Sequence, residues 1–106
     1  MIKNIDDLNF ETTVLKNTKH VLVEFSASWC GPCKQLFPIL EQVSEQYKDA
    51  LEVCKIDIDE SPDLAMKYQV KNIPLMLILK DGVVLSTKTG AMPKTKISSW
   101  IDETIK

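Results

Sequence analysis

The sequence predicts an α/β fold, with a central mixed sheet and helices on both of its faces. Strand-like apolar runs alternate with helical segments through the first two-thirds of the 106 residues, a pattern that favours parallel βαβ units. The dipeptide Asp81-Gly82 then separates two more strand-like runs, which is typical of a two-residue hairpin between antiparallel strands. The expected order is β-α-β-α-β-α-β-β-α, and the length suits a single domain over residues 1–106.

The first predicted helix is short and lies near the N-terminus. Asp6 or Asp7 is suited to cap it, because a carboxylate oxygen accepts hydrogen bonds from the free amides at a helix start. We therefore predict a short helix that carries three apolar side chains, Leu8, Val14 and Leu15.

A strand and a long helix follow. The strand, Val21–Ser26, is rich in β-branched and aromatic residues and contains no turn residue. The helix, from about Cys33 to Tyr47, has apolar residues at the i, i+4, i+7 and i+11 spacing of one helical face: Leu36, Leu40, Val43 and Tyr47. Pro38 has no N–H to bond the carbonyl of Lys34, so a kink is predicted one turn after the start.

The middle of the chain is predicted to contain one strand and one short helix. Leu51–Ile58 has the apolar character of a strand. Ser61 is suited to the N-cap and Pro62 to the first position of a helix that ends at about Tyr68.

The last third is predicted to contain the hairpin and a final helix. Its strands are Leu75–Lys80 and Val83–Thr89, on either side of the turn. The helix begins at about Pro93 and has apolar residues at i, i+3, i+4 and i+8: Ile97, Trp100, Ile101 and Ile105.

Two cysteines stand two residues apart where the strand Val21–Ser26 leads into the long helix. Cys30 falls at the helix N-terminus, where unpaired amides and the helix dipole stabilise a thiolate. Cys33 lies one turn further in on the same side, close enough to form a small ring with Cys30. Gly31 would let the backbone turn tightly, and Pro32 suits the first helical position. The pattern predicts a dithiol that cycles between thiol and disulfide.

The segment Trp29-Cys30-Gly31-Pro32-Cys33-Lys34, after a Val-Leu-Val-Glu-Phe strand, resembles the active site of the thioredoxin family. The resemblance continues in the family's order and spacing through further segments: Lys55-Ile56-Asp57-Ile58-Asp59, Tyr68-Gln69-Val70, Asn72-Ile73-Pro74, Lys80-Asp81-Gly82 and Gly90-Ala91. It implies the thioredoxin fold and dithiol–disulfide exchange. In that chemistry Cys30 attacks a substrate disulfide, and Cys33 resolves the mixed disulfide to leave a Cys30–Cys33 bond.

Glu24 is the most unusual residue of its strand, because its neighbours Val21-Leu22-Val23 and Phe25 mark a strand that is buried on both faces. An ionised carboxylate is costly there. Glu24 is therefore either partly solvated near the strand end or an internal acid whose raised pKa suits proton exchange with the dithiol. The family usually has an aspartate here that serves the second cysteine, so the resemblance implies a proton-transfer role for Glu24. It also implies that Lys55 is the partner of Glu24; an ordinary exposed lysine is the alternative.

Pro74 is expected at the first residue of its strand, because proline cannot donate a hydrogen bond to a sheet. The resemblance implies more for Ile73-Pro74: a cis-proline loop that faces the dithiol and offers backbone to an extended substrate. It also implies that Trp29, Gly90 and Ala91 join this loop in an apolar substrate-binding surface around the first thiol.

Four positions near this surface depart from the family pattern. Ser26 stands where a second tryptophan is usual and Asn72 where glycine is common. Leu75 replaces a common threonine, and Thr89 replaces a common valine. These departures leave the exchange chemistry in place, and partner preference is the property we expect them to affect.

The third cysteine, Cys54, lies within an apolar strand and is interpreted as a small buried hydrophobe; redox or regulatory reactivity is the alternative. Cys30, Cys33, Cys54 and His20 are residue types that bind zinc. Structural zinc sites usually pair two short ligand clusters, however, whereas Cys54 and His20 are solitary. We therefore expect no metal.

The composition limits the classes of partner and compartment. The net charge is −2 and the chain contains no arginine, so neither nucleic acid nor an anionic membrane is expected as a partner. Residues 1–7 carry two aspartates and no apolar core, unlike a signal peptide, and no apolar run reaches the about 18 residues of a transmembrane helix. A C-x-x-C pair without a leader indicates a reducing compartment. We expect a cytoplasmic monomer.

We therefore predict a general protein-disulfide reductase. The resemblance implies that it acts on disulfide-containing proteins, holds no cofactor, and is re-reduced by a flavin-dependent thioredoxin reductase that draws on NADPH. A disulfide oxidase or isomerase is one alternative, but it would need an export signal and usually has a histidine between the cysteines. A binding or accessory subunit is the other, and it would use the surface around Trp29, Ile73 and Gly90 without needing the thiols.

Overall fold

The computed structural model describes all 106 residues and contains a five-stranded mixed sheet. Its strands are β1 (Lys3–Ile5), β2 (His20–Ser26), β3 (Leu51–Asp57), β4 (Leu75–Lys80) and β5 (Val83–Thr89). They lie in the order β1-β3-β2-β4-β5. Strands β1 and β2 both pair with β3 in parallel, whereas the pairs β2–β4 and β4–β5 are antiparallel. This arrangement confirms the predicted fold class.

Three α-helices and one π-helical turn accompany the strands, and the last helix follows β5. Helix α1 spans Gly31–Gln46, α2 spans Pro62–Lys67 and α3 spans Lys94–Thr104, and the π-helical turn is Glu11–Leu15. Helices α1 and α3 pack on one face of the sheet, while the π-helical turn and α2 pack on the other. None of the helices combines the length and apolar character needed to cross a membrane.

The alternation of side chains along β2 divides the core into two layers. One layer joins the sheet to the π-helical turn and α2 and includes Phe10, Val14, Val21, Val23, Phe25 and Leu64. The other joins the sheet to α1 and α3 and includes Leu22, Leu36, Leu40, Val43, Ile97, Trp100 and Ile101. Glu24 is two residues beyond Leu22 on the same strand, so it points toward the α1 side of the sheet.

The N-terminal segment differs from the prediction in its details. The leading strand of the predicted order is Lys3–Ile5, and the predicted first helix is the π-helical turn Glu11–Leu15. Asp6 does not cap the π-helical turn, whose N-cap residue is Phe10 and which has no side-chain capping hydrogen bond. The Oδ1 of Asp6 instead accepts hydrogen bonds from the amides of Leu8 and Asn9 in the open turn before it, at 2.9 and 3.2 Å. The assignment of Leu8 to the apolar face is wrong. Its side chain is 93 % exposed because the chain forms an open turn at residues 7–9 before the helical turn begins.

The start of α1 differs from the prediction, whereas α2 begins at Pro62 as predicted and differs only in how its N-terminus is capped. Helix α1 begins at Gly31, so Pro32 is the second helical residue rather than the first, and Pro38 lies inside the helix as predicted. Ser61 is the N-cap residue of α2, but its hydroxyl makes no capping hydrogen bond and is buried without a partner. Its backbone, at φ −129° and ψ 64°, departs from the extended geometry of a capping serine. Strand β3 and helix α2 each end one residue before their predicted limits.

The hairpin between β4 and β5 is confirmed. Asp81 and Gly82 have φ values of 52° and 78°, the left-handed backbone that both central residues of this turn require.

Candidate active site

Cys30 and Cys33 lie where β2 leads into α1. Cys30 is the N-cap residue of the helix, and the amide of Cys33 donates a hydrogen bond to its Sγ at 3.2 Å. A disulfide joins the two residues, whose Cα atoms are 5.3 Å apart. The first turn of α1 therefore directs an amide and the positive end of the helix dipole at the sulfur of Cys30, which favours a thiolate there when the pair is reduced.

The two residues between the cysteines are exposed. Gly31 does not have a positive φ, and a Cβ built on it would meet no heavy atom within 4 Å. The backbone at Gly31 therefore forms the ordinary first turn of α1 and does not use the conformational freedom of glycine. Pro32 is the second residue of that turn, where its missing N–H is again one that the helix does not use.

A cleft of about 430 Å³ lies beside the disulfide. Among the residues that line it are Glu24 of β2, Cys33 and Phe37 of α1, and Lys55 of β3. Cys30 and Cys33 are both buried, with exposed fractions of 5 % and 4 %, so exposure does not distinguish the two thiols. The cleft does distinguish them, because Cys33 lines it together with Glu24 and Cys30 does not.

Glu24 is an internal acid. Its exposed fraction is 1 %, and its Oε2 atom is buried without a hydrogen-bond partner. Burial raises the pKa of Glu24 from 4.5 to about 7, while the nearby charge of Lys55 lowers this pKa and so opposes the shift. The interpretation of Glu24 as a partly solvated residue near a strand end is therefore wrong, because β2 is covered on both faces.

Lys55 is half-buried and is the direct cross-strand neighbour of Glu24 in the β2–β3 pairing. No ion pair or hydrogen bond joins these two side chains. The Lys55 Nζ atom instead lies over the ring of Phe37, 5.2 Å from its centroid. Lys55 thus acts on Glu24 through its charge at a distance. Sequence reasoning missed Phe37, whose place in the cleft depends on how α1 packs on the sheet.

Ile73 lies next to the disulfide, and Pro74 and Gly90 lie close to one another after it. The Ile73–Pro74 peptide bond is cis, as the resemblance implies, and Pro74 directly precedes β4. Ile73 packs against a small cluster that contains both active-site cysteines. The amide of Gly90 donates a hydrogen bond to the carbonyl of Pro74 at 2.8 Å, which fixes the start of the next loop against the proline.

Trp29 and Ala91, the other two residues that the resemblance implies for the substrate surface, are both exposed. The Trp29 ring is 66 % exposed, and its Nε1 donates a hydrogen bond to Asp59 Oδ2 at 2.8 Å. Sequence reasoning did not identify Asp59 as part of the site. The available signal was its position just after β3, because the carboxyl ends of neighbouring parallel strands meet at the same edge of a sheet.

The four departures from the family pattern fall into different environments. Ser26 is buried and lines the cleft beside Glu24, so a small side chain occupies the position where the family usually has tryptophan. Leu75 is the first residue of β4 and is buried in the core layer on the α2 side of the sheet, whereas Asn72 and Thr89 are exposed.

Cys54 is a free, fully buried thiol of β3. Burial is the main reason why the pKa of Cys54 is raised to about 12. His20 is the first residue of β2, and the chain gathers no group of three or more histidine, cysteine, aspartate or glutamate side chains that could hold a metal ion. Cys54 therefore sits in the apolar environment expected of a small buried hydrophobe.

The chain is similar to known proteins along nearly its whole length. A family model described as Thioredoxin matches residues 1–103. A thioredoxin of Pseudomonas aeruginosa is 44 % identical over 104 residues, which cover 98 % of this chain and 96 % of the relative. A thioredoxin of Rhodospirillum rubrum is 44 % identical over 104 residues, covering 98 % and 100 % of the two chains. A thioredoxin of Chlorobaculum thiosulfatiphilum is 46 % identical over 99 residues, covering 93 % and 92 %.

Proposed function

Because the chain belongs to the thioredoxin family and is a protein-disulfide oxidoreductase that uses dithiol–disulfide exchange, we propose a distinct role for each thiol. Cys30, as thiolate, attacks one sulfur of a substrate disulfide and forms a mixed disulfide. The other substrate sulfur leaves as a thiolate and takes up a proton. The observation that carries this assignment is the Cys33 amide, which donates to Cys30 Sγ at the start of α1.

Cys33 completes the reaction as the resolving thiol. After it loses its proton, its sulfur attacks the sulfur of Cys30, and the second substrate thiolate leaves. The dithiol has then lost two electrons, the substrate has gained them, and a Cys30–Cys33 disulfide remains. The Cα separation of 5.3 Å between the cysteines lies in the range that a disulfide bridges.

We propose that Glu24 accepts the proton of Cys33. The two side chains line one cleft, and a carboxyl with a pKa of about 7 gains and loses protons near neutral pH. Lys55 supports this role through its charge, because it lowers the pKa of Glu24 against the effect of burial. The absence of any hydrogen bond to Oε2 leaves that atom free to take up a proton.

The substrate is proposed to bind across the surface formed by Trp29, Ile73, Pro74, Gly90 and Ala91. The exposed indole offers apolar area, and the loop beside the cis proline offers backbone to an extended segment. The hydrogen bond from Gly90 to Pro74 holds the two halves of this surface together.

The partners, the cofactor requirement, the oligomeric state and the cellular location are also proposed, on the basis of family membership. The expected partners are disulfide-containing proteins and a flavin-dependent reductase that draws on NADPH, while this chain itself binds neither cofactor. We propose that the chain is a one-domain monomer of the cytoplasm. The net charge of −2 without arginine supports partners other than nucleic acid or anionic membrane. No observation favours an accessory or disulfide-forming role.

Trapping separates the roles of the two thiols. Reduced Cys33→Ser is expected to accumulate a mixed disulfide with a protein substrate through Cys30, detected by mass spectrometry after acid quenching. The matched control is Cys30→Ser, which should accumulate little adduct because its remaining thiol lies one turn further into the helix. Adducts that form faster on Cys33 of the control than on Cys30 of the first variant would reverse the assignment.

A further inference from the structure

The cleft beside the disulfide contains an aromatic residue to which no role has been assigned. Phe37 lies on the second turn of α1, four residues after Cys33, and its side chain is 38 % exposed. It lines the cleft whose buried wall is formed by Glu24 and Ser26. Because Glu24 is buried and Phe37 is not, the ring of Phe37 marks the outer end of this cleft.

The ring of Phe37 contacts the cation that faces Glu24. Lys55 Nζ is 5.2 Å from the ring centroid, within the about 6 Å over which a cation–π attraction acts. Lys55 makes no ion pair with any carboxylate. Lys55 also lines a neighbouring cleft with Asp6, Asp57 and Glu60, but the aromatic ring is the one group in direct contact with its ammonium, and this contact joins β3 to α1.

Few groups that titrate or carry charge face Glu24. Lys55 faces it from β3, with Asp57 two residues further along on the same face of that strand, and Cys33 and Lys34 face the cleft from α1. Strand β4 contributes the uncharged Met76 opposite Glu24. Of these groups, Lys55 is the one whose charge acts on the pKa of Glu24. The pKa of Glu24 therefore depends on where the ammonium group of Lys55 lies.

We propose that Phe37 is a positioning residue, whose ring holds the Lys55 ammonium at the outer end of the cleft so that its charge favours the ionised form of Glu24. Without the ring, the ammonium moves away from Glu24, into water or toward the carboxylates of the neighbouring cleft, where distance, solvent and salt weaken its effect on the carboxyl of Glu24. The inference deepens the proposed function, since it concerns the same acid that is proposed to receive the proton of Cys33.

The test is the pKa of Glu24, measured by carbon NMR of its side-chain carboxyl in the oxidised protein, where Cys33 carries no proton. Phe37→Leu keeps apolar volume but removes the ring, and it should raise the pKa of Glu24 by roughly half a unit. Phe37→Tyr keeps the ring and should leave the pKa at the wild-type value. In a Lys55→Met background, Phe37→Leu should have no further effect, because the cation is gone.

Lys67→Met is the matched control, because Lys67 makes the same kind of contact with Phe10 and Tyr68, at 5.3 and 5.6 Å, on the other face of the sheet. It should not change the pKa of Glu24. An unchanged or lowered pKa in Phe37→Leu would overturn the proposal, and a lowered one would mean that the ring keeps the ammonium away from the acid. The same shift with and without Lys55 would also overturn it, since Phe37 would then act by excluding water.

These outcomes are distinct from failure of the proposed function. The pKa of Glu24 is measurable whether or not this acid receives a proton during catalysis. A raised pKa in Phe37→Leu together with a normal rate of the Cys33 step in Glu24→Gln would support the positioning role and reject the proton-transfer role. A slow Cys33 step in Glu24→Gln with no response to Phe37→Leu would do the reverse.

Discussion

Replacing Glu24 with glutamine is expected to change how the free energy of unfolding depends on pH. Burial raises the pKa of this carboxyl from 4.5 to about 7, so between these pH values the folded protein holds a proton that the unfolded chain releases. The stabilising contribution of the proton is complete below pH 4.5 and is lost as the pH rises to about 7. At about 1.4 kcal/mol for each pKa unit, the loss amounts to about 3 kcal/mol.

Glutamine cannot ionise, so the variant lacks this loss. Relative to the wild type, Glu24→Gln should gain about 3 kcal/mol of unfolding free energy between about pH 4 and about pH 8. A buried amide without partners adds a cost of its own, but that cost is the same at both pH values and cancels in the comparison. Urea denaturation of the oxidised proteins at a series of pH values measures the difference.

The matched control is Glu41→Gln, which removes the same charge from an exposed position of α1 and should leave the pH profile close to that of the wild type. A difference between Glu24→Gln and wild type that stays constant over the whole pH range would refute the argument, because it would show that the carboxyl titrates alike in both states.

Three further predictions use other parts of the structure. Because burial raises the pKa of Cys54 to about 12, iodoacetamide should modify this thiol at least about a hundredfold more slowly in the folded protein than in urea, as followed by mass spectrometry. Gly82→Ala places a side chain at φ 78° and should lower the unfolding free energy by about 1 kcal/mol, whereas Gly31→Ala, in open space without a positive φ, should not. Asp59→Ala removes the hydrogen-bond acceptor of the Trp29 indole, and it should lower kcat/KM about fivefold for a protein disulfide while leaving a small-molecule disulfide unaffected. An equal loss with both substrates would show that Asp59 acts on the thiols rather than on the binding surface.

Elements whose geometry is set by neighbouring residues were predictable from the sequence. The Asp81-Gly82 turn requires left-handed backbone at both positions, and the residues themselves favour it. Strand β1 was not assigned to residues, because its three residues contain one buried side chain, Ile5, and leave no periodic pattern. Its strand conformation comes from pairing with β3, more than forty positions away. The π-helical turn Glu11–Leu15 is likewise too short for its hydrogen-bond pattern to be read from residue spacing.

In the site, too, features set by neighbouring residues could be predicted from the sequence, whereas contacts between distant elements could not. The burial of Glu24 follows from the apolar residues on both sides of it along one strand, so the sequence predicted it correctly. The contact between Lys55 and Phe37 joins a strand to a helix, and the sequence gives no measure of how the two pack. The bond between Trp29 and Asp59, thirty positions apart, is also a tertiary contact. Sequence spacing therefore identified the cysteine pair and Glu24, but not the contacts that Phe37 and Asp59 make with Lys55 and Trp29.

The central position of β2 in the sheet has a consequence for the exchange of amide hydrogens with solvent. The strand is paired with β3 on one side and with β4 on the other, and six of its seven residues are buried. We therefore expect its amides to exchange through global unfolding, so deuterium uptake should be slowest there in both redox states. The disulfide is then expected to form and break many times before the amide hydrogens of β2, the strand that leads to Cys30, exchange with solvent.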